Sequence, residues 1–188
     1  YVGNTDGGNT IIRNNYIVGC GAQGIYVDGS NEATVINNVI AYNNGHGIER
    51  YSYSSNTTVF SNIIAFNDGW GAVRTLSTYN NAYGNASGSF TGGNSGIGDI
   101  SQDPLFINAA TGNYQLQAGS PSINAGRPVA GDNDPDGTRN DQGAYGGPFA
   151  ASFWPYPTGG PVITELSVTP SSVPQGGTIT IRATGEIR

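Results

Sequence analysis

Asn15-Tyr16-Ile17, Asn38-Val39-Ile40 and Asn62-Ile63-Ile64 are one motif written three times, at offsets of 23 and 24 residues. Nine residues after each Asn stands a Gly (Gly24, Gly47, Gly71), and each Gly opens a short apolar run: Ile25-Tyr26-Val27, Ile48-Glu49 and Ala72-Val73. Ahead of each Asn lies another β-prone run, Ile11-Ile12, Thr34-Val35-Ile36 and Thr58-Val59-Phe60. No segment carries helical periodicity. Strands this short cannot bury themselves, but coils of such strands, stacked one on the next, bury a continuous column and pair every backbone group with the neighbouring coil.

Reading alternately from the Asn predicts three inward columns: Asn15/Asn38/Asn62, Ile17/Ile40/Ile64 and Gly19/Tyr42/Phe66. Aliphatic columns are ordinary core. A buried amide is costly unless its donors and acceptor are all used. At a coil spacing of about 4.8 Å, Asn15, Asn38 and Asn62 can satisfy one another as a hydrogen-bonded ladder. The alternative is that Asn only tolerates left-handed turn geometry.

The chain has 188 residues, a net charge of −6, no Lys and no Met. The missing Met suggests a chain that does not begin at its own initiator. An acidic chain without Lys lacks the basic patch nucleic acid requires. No apolar stretch approaches the roughly 18–20 residues of a membrane helix. Cys20 is the only cysteine, so no internal disulfide forms.

Asn-x-Ile, a polar turn and then Gly-Ile-Tyr or Gly-Ile-Glu resembles the repeat of right-handed parallel β-helix proteins of the pectate-lyase-like superfamily, over roughly residues 1–90. Further on, Asp103-Pro104-Leu105-Phe106, Tyr114-Gln115-Leu116, Ser120-Pro121-Ser122-Ile123-Asn124-Ala125-Gly126 and Asp141-Gln142-Gly143-Ala144-Tyr145-Gly146 follow one another in order. That series is similar to the C-terminal capping module of secreted bacterial β-helix proteins, with Gln142 where those proteins carry an aliphatic residue. Val162 to Pro170 and Gly177 to Ala183, around a Pro-Gln-Gly-Gly turn, resemble the first strands of an Ig-like domain.

The expected fold is therefore all-β: a right-handed parallel β-helix over residues 1–98, a capping module over 99–148, a linker over 149–160 and a partial Ig-like strand pair over 161–188. An open solenoid end exposes unpaired strand edges, and Leu105, Phe106, Tyr114, Leu116 and Ile123 are expected to cover it.

Candidates for chemistry are few. Coil register gathers His46, Glu49, Arg50, Asp68, Trp70 and Arg74 on one side, and His46, Glu49, Arg50 and Arg74 are the candidate catalytic groups. An ordinary surface ion pair explains the same charges. Trp70, Tyr26, Tyr51 and Tyr53 are candidate stacking platforms for polysaccharide. Asp132-Asn133-Asp134-Pro135-Asp136-Gly137 fits the start of a calcium loop, with Asp132, Asp134, Asp136 and Asp141 as ligands. Its twelfth position is Gly143 rather than Glu, and an acidic surface turn accounts for the same residues.

Two functions follow from the resemblance: an extracellular or cell-surface bacterial scaffold or adhesin, self-associating into a fibre through its terminal strands and touching carbohydrate weakly, or the C-terminal part of a secreted polysaccharide lyase or glycoside hydrolase. The scarcity of titratable groups favours the first.

Overall fold

The computed structural model describes residues 9–28, 32–51, 57–91 and 95–150, and the backbone of two strands at Pro161–Thr169 and Thr180–Ile187. Tyr53, most of the linker and the Pro-Gln-Gly-Gly turn lie outside these residues. Two compact units divide between residues 153 and 154.

The described residues of the first unit form a parallel β-helix of four coils. Coil 1 holds β1 (Asn9–Arg13), β2 (Tyr16–Val18) and β3 (Ile25–Val27), and coil 2 holds β4 (Glu32–Ile36), β5 (Val39–Ala41) and β6 (Ile48–Arg50). Coil 3 holds β7 (Thr57–Phe60), β8 (Ile63–Ala65) and β9 (Trp70–Val73), and coil 4 holds β10 (Leu76–Thr78), β11 (Asn81–Tyr83) and β12 (Gly88–Thr91). Like strands stack into three four-stranded parallel sheets, β1-β4-β7-β10, β2-β5-β8-β11 and β3-β6-β9-β12. Each sheet sends a column inward, Ile12–Val35–Val59, Ile17–Ile40–Ile64–Ala82 and Ile25–Ile48–Ala72–Phe90, and Val27 and Ala33 add to them. These columns meet as one core.

Two Asn ladders flank the second sheet. Asn15 Nδ2 donates to Asn38 Oδ1 (3.1 Å), Asn38 to Asn62 (3.0 Å) and Asn62 to Asn80 (2.9 Å). Asn43 donates to Asn67 and Asn67 to Asn85, both at 2.8 Å. Each Oδ1 also takes the backbone N–H of the preceding Asn, as Asn62 takes that of Asn38 at 2.9 Å. Immediately before the ladder positions the chain turns left-handed, at Asn14, Asn37, Ser61 and Tyr79 and again at Gly19, Tyr42, Phe66 and Gly84.

The left-handed turns correct one expected inward column. Strands β2, β5 and β8 end one residue before Gly19, Tyr42 and Phe66, and positive φ there breaks the alternation that had placed these residues inside. The Tyr42 and Phe66 rings instead stack outside, 5.1 Å apart and nearly parallel. The recurrent Gly has its own reason. A Cβ on Gly47 would lie 2.4 Å from Ile64 Cγ2 and 2.6 Å from the Gly71 carbonyl oxygen, so the coils close only over a hydrogen.

The stretch after the coils runs along the side of the solenoid. The hairpin of β13 (Phe106–Asn108) and β14 (Asn113–Leu116) packs Phe106, Tyr114 and Leu116 against Tyr16, Val18, Val39, Ala41, Ile63 and Ala65, the outer face of the second sheet. Residues 122–150 then descend from coil 4 to coil 1. Gln142 Nε2 donates to the Tyr79 carbonyl (2.8 Å), Gly143 N–H to Ser61 (2.8 Å), Asn37 Nδ2 to Asn140 Oδ1 (2.9 Å) and Asn14 Nδ2 to the Gly146 carbonyl (2.9 Å). Guanidinium groups lie over rings across the seam, Arg127 over Phe60 (3.9 Å) and Arg13 over Phe149 (3.6 Å). Covering the open end is thus not what Phe106, Tyr114 and Leu116 do. They form a lateral clasp, because the second sheet is apolar on both faces and needs cover outside as well as inside.

In the second unit β15 (Pro161–Thr169) pairs antiparallel with β16 (Thr180–Ile187), with Val168 opposite Ile181 and Leu166 opposite Ala183.

Candidate functional site: the outer face of the third sheet

Tyr26 and Glu49 are the middle residues of β3 and β6, and strand alternation points both outward in one column. Val27 and Arg50, the next residues, turn inward, and Arg74 follows β9 in a left-handed turn. That turn sends the Arg74 side chain back toward coil 2. Its Nη2 pairs with Glu49 Oε1 at 2.8 Å, and its Nε donates to the Arg50 carbonyl at 2.6 Å. The other Glu49 oxygen accepts from Gln23 Nε2 at 2.6 Å. Arg50 is buried, at 5% exposure.

His46 lies one coil above Trp70, and the Trp70 backbone N–H donates to His46 Nδ1 at 2.9 Å. That bond assigns the proton of the neutral ring to Nε2 and occupies the nitrogen that would accept one. The Trp70 ring covers the next coil, where a Cβ on Gly88 would lie 2.6 Å from Trp70 Cζ3. Tyr26 and Tyr51 meet edge to face, 6.4 Å between centroids, and Tyr51 is 63% exposed. The Tyr26 phenol is held above its ordinary value by desolvation and by the negative charges of Asp28 and Glu49, against the opposing charge of Arg74.

The register therefore gathers Glu49, Arg74, Tyr26 and Tyr51 on one face, with His46 and Trp70 three residues upstream along the strands and Arg50 turned away from it. Glu49 and Arg74 satisfy each other, His46 is tied to the backbone, and Arg50 lies inside. Among the described residues of this group, Asp68 alone is an exposed carboxylate. Gln23 escaped the sequence reading, although it stands one residue before the first marker Gly.

The four expected calcium ligands do not converge. Asp132 Oδ2 pairs with Arg127 Nε at 2.5 Å, and Asp134 Oδ1 accepts the Gly147 N–H at 2.6 Å. Asp136 Oδ1 accepts the Thr138 N–H and hydroxyl at 2.9 and 2.6 Å, and Asp141 Oδ1 accepts the Asn124 N–H at 2.6 Å. The reason is the turn itself. Gly137 N–H bonds to the Asp134 carbonyl and Asp134 N–H to the Thr138 carbonyl, which closes the loop on its own backbone. Among the described residues no three His, Cys, Asp or Glu side chains form a group suited to a metal ion.

No curated protein and no solved structure matches the chain. A family model described as "Periplasmic copper-binding protein (NosD)" matches residues 2–94, the stretch that forms the coils, and stops short of the clasp and the paired terminal strands.

Proposed function

We propose that the chain is a stiff β-helical scaffold of an extracytoplasmic bacterial protein, with a weak carbohydrate contact along the outer face of the third sheet. The observation that supports this reading most is the use of the charged groups on that face. Glu49, Arg74 and His46 are bound into the coils, while the Tyr51 ring faces outward beside Tyr26. Rings against solvent, beside charges that are bound into the coils, suit stacking on a sugar better than cleaving one. The family description supports an extracytoplasmic location.

Copper fits the residues present poorly. Copper sites draw on Cys, Met and His, and the chain has one Cys, one His and no Met. His46 Nδ1 already accepts the Trp70 N–H. No step is therefore assigned to copper in these coils.

Affinity electrophoresis against pectate, alginate, glycosaminoglycans and neutral glucans tests the proposal. Retardation by at least one polymer, weakened by Tyr51→Ala, is expected; free migration through all of them sinks the carbohydrate contact. Unsaturated sugar released from any of these polymers, and lost on Arg74→Ala, would overturn the scaffold in favour of a lyase. The paired strands β15 and β16 support a finer reading, assembly into a fibre by strand addition, since among the described residues each has one edge without a partner strand. A monodisperse monomer by light scattering, with no filaments by microscopy, would sink that reading.

A further inference from the structure

The two Asn ladders end differently at the last coil. In the first, the Asn80 backbone N–H and Nδ2 both donate to Asp99 Oδ1, at 2.7 and 3.1 Å, and Asp99 Oδ2 takes the Gly96 N–H at 2.7 Å. A carboxylate accepts and has nothing left to donate, so it terminates a column in which every amide donates onward. Around Asp99 the chain forms half of a fifth coil. Tyr79 N–H bonds to the Ile97 carbonyl, Ile100 N–H to Asn80 and Ala82 N–H to Ile100, after which Gln102 N–H reaches Asn81 Oδ1 and the chain departs toward the clasp.

The second ladder has no such stop. Asn67 donates both to the Ile40 carbonyl and to Asn85, whereas Asn85 Nδ2 donates to the Ile64 carbonyl alone and, among the described residues, has no acceptor beyond it. Directly after Asn85 in the coil comes β12, the edge strand of the third sheet. A cavity of about 480 Å³ runs beside it, lined by Ser89, Phe90, Ser95, Asp99, Ile100 and Ser101. The unfinished ladder and the unpaired strand edge fall in the same quadrant of the same coil end.

We propose that this quadrant binds an extended segment of a partner polypeptide, added to β12 as a parallel strand, with an Asn or Asp side chain accepting from Asn85. A strand edge offers backbone donors and acceptors at a rise of about 3.3 Å per residue, a spacing that another polypeptide matches. The coils specify the motif. Asn67 and Asn85 each precede their strand by two intervening residues, so the partner carries Asn or Asp, two residues, then about four in extended conformation. Ser89, Ser95 and Ser101 line the groove together with Phe90, Asp99 and Ile100. A second copy of this chain stacked end to end fits less well. Its first described coil would present Cys20 at the ladder position, a weak acceptor, and the half-coil around Asp99 already fills the neighbouring quadrant.

The probe is an acetylated, amidated and fluorescein-labelled peptide with the sequence of Asn67–Val73, which has the ladder Asn and the strand at the required spacing. Saturable binding to the full chain by anisotropy is expected. It should weaken at least tenfold when the peptide's Asn is replaced by Leu, and at least tenfold in Ser101→Trp, which fills the groove from an exposed position outside both ladders. An unchanged thermal midpoint for Ser101→Trp separates groove blocking from misfolding. Amide exchange at Gly88–Thr91 should slow when the peptide binds. No saturable binding, binding indifferent to both substitutions, or protection elsewhere would overturn the proposal. A peptide-free dimer with Gly88–Thr91 already protected would overturn it in favour of a second copy.

Discussion

Replacing Asn62 by leucine keeps the branched outline of a fully buried side chain, enlarges it somewhat and removes its polar function. Asn62 accepts the Asn38 N–H (2.9 Å) and Nδ2 (3.0 Å), and donates to the Val35 carbonyl, the Phe60 carbonyl and Asn80 Oδ1, each at 2.9 Å. Two of these partners are cushioned, because Asn38 Nδ2 keeps the Ile12 and Ile36 carbonyls and Asn80 Oδ1 keeps the Asn62 N–H. The Asn38 N–H is stranded in a dry interior, at about 1–3 kcal/mol, and the two carbonyls lose a bond worth about 1 kcal/mol each. The expected loss is about 3–5 kcal/mol, read as a shift in urea midpoint at unchanged slope. Asn15→Leu is the comparison. Asn15 sits in the first described coil, donates to the Arg13 carbonyl and Asn38 Oδ1, and should cost about 1 kcal/mol. Asn62→Asp adds a signature that packing alone does not produce. Its carboxylate faces three acceptors, so protonation favours the folded state and the deficit should shrink as pH falls. A loss below about 1 kcal/mol for Asn62→Leu, or equal losses at 15 and 62, would refute the idea that the ladder holds the coils together.

The clasp should tighten in mild acid. Desolvation, with the Asp141 carboxylate adding to it and the Gly147 N–H opposing, pushes the Asp134 carboxyl from 3.8 up to about 6. With the folded value above the ordinary one, its contribution is fully present below pH 3.8 and is lost as pH rises through about 6. The thermal midpoint should therefore rise from pH 7 to pH 5, and Asp134→Asn should flatten that slope; an unchanged slope refutes the assignment. Arg127→Ala removes both the guanidinium over Phe60 and the pair with Asp132, and should cost about 1–2 kcal/mol, with faster amide exchange across residues 122–150. Gly47→Ala should cost about 2–3 kcal/mol by overpacking against Ile64 and the Gly71 carbonyl, whereas Gly131→Ala, whose Cβ meets nothing within 4 Å, should stay within about 0.5 kcal/mol by chemical denaturation.

The stacking of the first three coils was readable because its period is the pairing register itself: Ile17 opposite Ile40 opposite Ile64 reproduces the offsets of 23 and 24 residues. The fourth coil was harder to see. A short Arg74-Thr75 corner leads into β10, and the ladder step contracts to 18 residues, so Asn80 falls out of phase with the motif. The second ladder did leave a signal, an Asn five residues after each ladder Asn at 43, 67 and 85, but Cys20 in the first coil breaks the series. The clasp also had a signature. Tyr16-Ile17-Val18, Val39-Ile40-Ala41 and Ile63-Ile64-Ala65 are apolar at every position, and strands of that kind are covered on both faces. Periodicity brings the third-sheet residues to one face. It does not choose between the Glu49–Arg74 pair and freely exposed charges, because a left-handed backbone at Arg74, absent from any alternation rule, turns that side chain back.

Ladder chemistry has a direction, and the direction bears on how the solenoid stops. Each Asn donates toward the C-terminal coil, so the last member needs an acceptor and the first needs only to donate. Asp99 meets that demand for one column, and the fifth half-coil that carries it shields the ends of the first two sheets. The hairpin and the descending strap are then free to cover the second sheet from outside, which a terminal cap would leave wet. One end of one sheet is left over. Beside β12, among the described residues, Asn85 still has an amide hydrogen to give and the sheet still has an edge, which is where an added strand would continue the stacking.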